Sequence, residues 1–258
     1  MIPCKKTDTH QSSILNRKRT VIMTRGKEFF CENCPSGFQN HFNLLDKDDL
    51  QHLNEEKTTG FYKKGNIIYQ EGQKTSGLYC VRDGKIKVYK NDLDGREHIV
   101  RIVLPGEFMG LKALLSGNPH SVSAAAFEDS SVCMISKSDF FHFMIKYPGF
   151  NQSIIIYLSK LLDDAEKRML SLAFKPVRER LAEILVFLFT SFYPGVKTPT
   201  ENYLNLTRMD LANIIGTAQE TIIRLLSEFR EEGLIEIRGR KIFLLDMIKL
   251  TIIANQKG

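Results

Sequence analysis

"LTRMDLANIIGTAQETIIRLLSEFREEGLIEIRGRKIFLL", residues 206–245, decides how the rest of the chain is read. Thr207 is predicted to cap a first helix, with Asp210 three residues on completing a capping box. Leu211, Ala212 and Ile215 form the inner face of that helix. Gly216 permits the left-handed backbone of a tight turn, and Thr217 is expected to cap a second helix. Ile222, Leu225, Leu226 and Phe229 turn the second helix inward, which leaves Gln219, Glu220, Ile223 and Arg224 outward at its start, followed by Ser227. The closing "LIEIRGRKIFLL" alternates apolar and polar residues around Arg238-Gly239-Arg240-Lys241, the pattern of a two-stranded wing with a basic tip.

Two helices, a tight turn and a wing make a winged helix-turn-helix. The first turns of its second helix are built to enter a major groove. Arg224 can donate two hydrogen bonds to guanine O6 and N7, and Glu220 can accept from a cytosine amino group. Arg238, Arg240 and Lys241 on the wing are placed for phosphates, which orient a protein without reading sequence. Thr207, Arg208, Thr217 and Thr221 add polar side chains to the same face. The same residues also have a purely helical use: Glu220 can close a capping box with Thr217, and Arg224 can pair with Glu220 four residues earlier.

Upstream, Ile155, Leu158, Leu162, Ala165, Met169 and Leu172 alternate steps of three and four. That is the a/d pattern of a two-helix seam, though the inner face of an ordinary amphipathic helix has the same spacing. "FKPVRERL" breaks the pattern at Pro176 and suggests a hinge into the C-terminal domain. From Thr58 to Ser136 the pattern is strand-like, with short alternating runs broken by glycine every few residues, as a small antiparallel barrel or jelly roll needs. Asp83-Gly84 in "GLYCVRDGKIKVYKND" and Asp94-Gly95 in "DLDGREHIVRIVLPGEFMG" are both read as hairpin turns. The fold class is therefore α+β: an N-terminal double-stranded β-helix (jelly roll), a long dimerisation helix, and a C-terminal winged helix-turn-helix. The expected boundaries are an arm at residues 1–41, a roll at 42–147, the helix at 148–175 and the terminal domain at 176–258.

Composition sets the remaining limits. With 43% hydrophobic and 26% charged residues the chain reads as globular, and its longest apolar run, "LAEILVFLF" at 181–189, is too short to span a bilayer. No partner membrane and a cytoplasmic location are expected, so the five cysteines should be mostly reduced. The net charge of +6 sits mostly in the arm: residues 1–42 carry 7 basic and 3 acidic side chains, while residues 176–258 carry 11 and 10. Bulk charge therefore does not locate a nucleic-acid site. No nucleophile, base and orienting group recur at a recognisable spacing, so no catalytic residue and no enzyme are expected.

A glycine-punctuated roll, a seam helix and a terminal winged helix-turn-helix, in this order, resemble the CRP/FNR superfamily of bacterial transcription regulators. "GNIIYQEG", "LYCVRDGKIKVY" and "LPGEFMG" are similar to its roll, and "TAQETIIRLL" to its recognition helix. The resemblance covers about residues 42–245. It implies a homodimer on near-palindromic double-stranded DNA, contact with RNA polymerase, and base-reading roles for Glu220 and Arg224.

The resemblance also frames the signal. The cyclic-nucleotide-binding branch uses a glutamate and an arginine where this chain has Leu111 and His120, in "GLKALLSGNPHSVSA". An imidazole is a poor substitute for a guanidinium on a phosphate, so cyclic AMP is not the expected ligand. The oxygen-sensing branch holds a 4Fe–4S cluster with four cysteines. Cys31, Cys34 and Cys133 fall on three of those positions, and Asn40 falls on the fourth. His41, Cys4 or an external molecule could supply the missing donor, and zinc could take Cys31, Cys34, Cys133 and His41. A reversible Cys31–Cys34 disulfide, or two inert thiols, are the other readings. Cys80 alternates within an apolar strand and reads as a small buried hydrophobe.

Overall fold

A computed structural model describes residues 22–25, 30–31, 34, 39–196 and 202–255. Strand β1 (Ile22–Arg25) and helices α1 (Gln39–Phe42) and α2 (Lys47–Glu56) lead into β2 (Thr58–Tyr62), β3 (Ile67–Tyr69), β4 (Gly77–Asp83), β5 (Ile86–Asn91), β6 (Glu97–Val103) and β7 (Phe108–Met109). Helix α3 (Leu111–Ser116) precedes β8 (Ser123–Ala126) and β9 (Ser130–Ser136), and α4 (Lys137–Lys146) then runs into the long α5 (Pro148–Phe174). The C-terminal part holds α6 (Val177–Phe192), β10 (Leu204–Asn205), α7 (Arg208–Ile215), α8 (Gln219–Glu231), β11 (Ile235–Arg238), β12 (Lys241–Leu244) and α9 (Met247–Ala254).

The roll is two facing antiparallel sheets, ordered β1-β2-β9-β4-β7 and β3-β8-β5-β6. Strand alternation sends Val81 and Val132 inward to meet Ile86, Val88 and Val103 of the opposite sheet. The same alternation sends Leu78, Cys80, Cys133 and Ile135 to the outer face of the first sheet, where Phe42, Leu53, Phe140, Phe143 and Phe150 from the surrounding helices cover it.

The two Asp-Gly turns differ. Asp94-Gly95 joins β5 to β6, which pair with each other. Asp83-Gly84 does not close a hairpin: β4 pairs with β7 and β9, and β5 pairs with β6 and β8, so this turn carries the chain from one sheet to the other. Its backbone is pinned to the connection between β8 and β9. Lys85 N–H donates to Ser130 Oγ (3.1 Å), and Phe127 N–H donates to the Lys85 carbonyl (2.8 Å). Gly84 has φ +80°, and a Cβ there would lie 2.3 Å from Ser130 Oγ, so the crossing requires glycine. A local Asp-Gly signal cannot distinguish a hairpin from a crossing, because the partner strand decides.

Pro148 starts α5, whose first turns bury Phe150 and Ile154 against the roll. Tyr157 then ties the helix to β7: its hydroxyl accepts from Phe108 N–H (2.9 Å). At 27 residues the helix is about 40 Å long. The terminal domain has its own core of Leu181, Leu185, Phe189, Leu211, Ile222 and Phe229, which is continuous with Ile99 and Ile102 of β6. Arg168 of α5 seals that junction. It donates to the carbonyls of Ile99 (2.8 Å) and Val100 (2.7 Å) in the roll and of Ile214 (2.6 Å) at the end of α7.

Candidate functional site

The helix-turn-helix is assembled largely as its residues dictate. Thr207 caps α7 and forms the reciprocal box with Asp210: Asp210 N–H donates to Thr207 Oγ1 (3.0 Å), and Thr207 N–H donates to Asp210 Oδ2 (2.9 Å). Gly216 ends α7 at φ +74°. Thr217 does not cap α8. Its N–H is still spent on the Ala212 carbonyl (3.1 Å), as part of the exit from α7, so the extended cap residue is Ala218, which offers no side-chain oxygen. Glu220 is therefore outside any box with Thr217.

Ile222, Leu225, Leu226 and Phe229 fix the inner face of α8. Glu220, Ile223 and Arg224 are exposed on its outer face, and Gln219, Thr221 and Ser227 flank them half-buried. Arg224 pairs with Glu228 one turn later, not with Glu220. Ser227 donates to the Ile223 carbonyl (3.2 Å). Arg238 leans over the Phe243 ring and pairs with Glu236 (2.6 Å), while Lys241 lies over the Tyr203 ring, so the wing cations are steadied by aromatic stems. Arg208 donates to the Gly239 carbonyl (2.9 Å), which joins the start of α7 to the wing tip.

On α5, Ile155, Leu162 and Met169 are 57%, 61% and 62% exposed, and they repeat every seven residues beside Leu158, Ala165 and Leu172. This stripe is not the inner face of the helix within one chain: Phe150 and Ile154 are.

The second cluster lies on the outer face of the roll. Cys31 is held by the end of α2: its N–H donates to Asn54 Oδ1 (2.9 Å), and Lys57 Nζ donates to Asn54 Oδ1 (2.7 Å) and Cys31 Sγ (3.0 Å). Cys133 Sγ lies 3.5 Å from Thr59 Oγ1. Cys31, Cys34, Lys57, Arg82 and Cys133 line a cavity of about 20 Å³, room for one water or ion. Burial pushes the Cys31 and Cys133 thiols up, although Lys57 opposes this at both. Among the described residues no group of three or more His, Cys, Asp or Glu side chains converges on one ion position.

His41 does not belong to this cluster. Helix α1 turns it toward α5, where Nδ1 lies 2.9 Å from Ser153 Oγ and the ring is 5.0 Å from that of Phe108. Its burial there lowers its pKa. Cys4 and the side chain of Asn40 lie outside the described residues. Lys57, Asn54 and Arg82 carry no signal in the linear sequence, because only the packing of α2 and β4 brings them to the thiols.

His120 is buried and stacked on Tyr69, with ring centroids 3.8 Å apart and planes 10° apart, and burial lowers its pKa. An aromatic stack therefore occupies the part of the roll where the resemblance places a phosphate-binding arginine.

The family model for a cyclic nucleotide-binding domain matches residues 60–147, and that for a Crp-like helix-turn-helix domain matches residues 179–252. The fumarate and nitrate reduction regulatory protein of Vibrio cholerae is 30% identical over 237 residues, covering 91% of this chain and 94% of that protein. The chain belongs to the CRP/FNR family of transcription regulators. The transcriptional activator Anr of Pseudomonas protegens is 29% identical over 228 residues, 87% of this chain and 92% of its own. The solved structure of FixK2 from Bradyrhizobium japonicum superimposes with a TM-score of 0.68 at 27% identity, covering 78% of this chain and 99% of that one. As a family member the chain is a helix-turn-helix DNA-binding regulator, and α7 and α8 are its helix-turn-helix pair.

The donors at the roll are thiophilic in type, although their thiols do not converge on one ion position among the described residues. Three thiols and two cations line one cavity, and the cations suit a centre that thiolates make anionic.

Proposed function

We propose that the chain acts as a homodimer that reads a near-palindromic operator in double-stranded DNA, with one α8 in each of two successive major grooves. The carrying observation is the start of α8, where Glu220, Ile223 and Arg224 stand exposed over a fully buried inner face. Arg224 is assigned to a guanine and Glu220 to a cytosine amino group, with Ile223 against a thymine methyl. Swinging Arg224 away from Glu228 costs only about 0.3–0.5 kcal/mol, the worth of an exposed pair of this spacing. Thr207, Arg208, Thr217, Arg238, Arg240 and Lys241 serve the phosphates, while Gln219, Thr221 and Ser227 border the base-reading trio. The seam is the stripe Ile155, Leu158, Leu162, Ala165, Met169 and Leu172 against its copy, exposed except at the half-buried Leu158.

The chain works in the cytoplasm as a regulator rather than as an enzyme, with RNA polymerase as a further partner. The Tyr69–His120 stack supports a roll that does not take cyclic AMP. The signal enters instead at the thiol cavity, as an iron–sulfur cluster or zinc held by Cys31, Cys34 and Cys133. It acts by shifting the population of α5 packings and hence the separation of the recognition helices. Arg168 is the side chain that joins the roll, α5 and α7.

The test is the Arg224→Ala variant on operators selected by the wild-type protein from random DNA. A loss of about 1–3 kcal/mol, confined to one base pair per half-site, is expected. An equal loss on every sequence would refute the base-reading assignment.

A further inference from the structure

Arg178 is the second residue of α6 and stands two positions past Pro176, where α5 gives way to the terminal domain. Its guanidinium crosses to α8 and lies over the buried ring of Phe229, with Cζ 4.7 Å from the ring centroid. Nη2 donates to both oxygens of Glu232 (2.8 and 2.7 Å), and Nη1 reaches Glu228 Oε2 at 3.4 Å. The other oxygen of that carboxylate, Oε1, holds Arg224. One carboxylate thus stands between an arginine at the hinge and the arginine assigned to guanine.

Electrostatics set the two arginines against each other. The end of α8 carries Glu228, Glu231 and the cap residue Glu232, with Arg230 as the basic residue of its last turn, although the negative end of a helix favours cations. Arg178 supplies the missing positive charge from α6. When Arg224 leaves for a guanine, Glu228 keeps Arg178 as its remaining ion-pair partner among the described residues. The more of the Glu228 charge Arg178 takes up, the less of it holds Arg224 back.

We propose that Glu228 is a positioning residue for Arg224, and that Arg178, through its distance from Glu228, sets how freely Arg224 turns to its base. The inference rests on the base-reading role of Arg224 and adds the regulation of that role. Arg178 rides on the first turn of α6, so a shift of α5 against α6 at Pro176 moves it relative to α8. Its contact with Glu232 is short, while its contact with Glu228, at 3.4 Å, has room to tighten. Closing that gap releases Arg224, and widening it returns the whole carboxylate to Arg224. The packing of the seam helix thereby reaches the recognition helix through one shared carboxylate, with the fold of α8 unchanged.

The experiment measures binding of the full chain, by fluorescence anisotropy, to an operator selected by the wild type and to the same operator with the G·C pair of each half-site replaced by A·T. The variants are Arg178→Met, which keeps the apolar stem over Phe229, Glu228→Gln, and the two together. Arg178→Met is expected to weaken operator binding about 3-fold per half-site, roughly 10-fold for a dimer, and to change binding to the replaced operator by less than about 2-fold. Glu228→Gln is expected to strengthen operator binding by a similar factor, and beside it Arg178→Met should have no further effect. An equal Arg178→Met loss on both DNAs, or a loss that persists in full beside Glu228→Gln, would overturn the proposal; a salt slope reduced by about one per subunit would then make Arg178 a phosphate contact. Glu228→Gln alone leaves Arg178 in place and decides the matter if Arg178→Met does not fold: unchanged or weaker operator binding would overturn the hold on Arg224. An Arg224→Ala variant that loses nothing at the G·C pairs would refute the base-reading role and the proposal with it. A normal Arg224→Ala loss beside an Arg178→Met protein that binds like wild type would refute the proposal alone.

Discussion

Replacing Arg168 with methionine keeps the apolar stem and removes the guanidinium that joins the roll to the helix-turn-helix. The Val100 carbonyl is at the surface and rehydrates. The Ile99 and Ile214 carbonyls are half-buried and each loses a charge-assisted bond, of 2.8 Å and 2.6 Å. At about 1.5–3 kcal/mol per such bond the two sum to roughly 3–6 kcal/mol, and partial opening of the junction to water brings the expected loss to about 2–4 kcal/mol. Ile214 lies in the last turn of α7, where unsatisfied carbonyls favour a cation, so α7 should be the element released. Urea unfolding at fixed protein concentration is the assay, followed by tryptic cleavage near α7 and α8. The wild type should unfold in one transition, and Arg168→Met should split it, with the terminal domain leaving first. An unchanged midpoint with a single transition would show that the apolar contact of Ile99 and Ile102 with the terminal domain suffices, and would refute the clamp.

Leu162→Glu places a charge at the centre of the α5 stripe and is expected to give monomers by light scattering with the helical content intact; a persistent dimer would put the seam elsewhere. His120 is buried with a lowered pKa, so the unfolded chain binds more protons and stability falls as pH drops below about 6.5. His120→Phe keeps the stack on Tyr69 and should flatten that loss between pH 7.5 and 5.5 in urea midpoints, whereas an unchanged slope would assign it to other groups. Because burial raises the Cys31 and Cys133 thiols, metal affinity at the proposed thiol site should rise with pH across the neutral range, and a competition titration with a chelator at two pH values would expose a flat dependence.

The features legible in the sequence are those fixed by local periodicity. The Thr207–Asp210 box, the turn at Gly216, the inner face of α8 and the seven-residue stripe on α5 all follow from residues within two or three helical turns of one another. What was not legible depends on partners distant in the chain. Asp83-Gly84 has the same local chemistry as Asp94-Gly95, yet the Ser130 contact makes it a crossing between sheets. Cys80 reads as core from its own strand, and only the pairing of β4 with β9 reveals a thiol beside it. His41 adjoins Asn40 in sequence, but helix α1 turns it toward Ser153, so adjacency misled. Thr217 has the composition of a cap, and the exit of α7 claimed its backbone first.

The most direct test of the central claim is a hydroxyl-radical footprint of the wild-type dimer on an operator it selects from random DNA. The account predicts two protected stretches related by a dyad, centred one helical turn, about 34–36 Å, apart, each containing a G·C pair that becomes indifferent when Arg224 is alanine. A single protected stretch, or uniform protection with no preferred sequence, would contradict it.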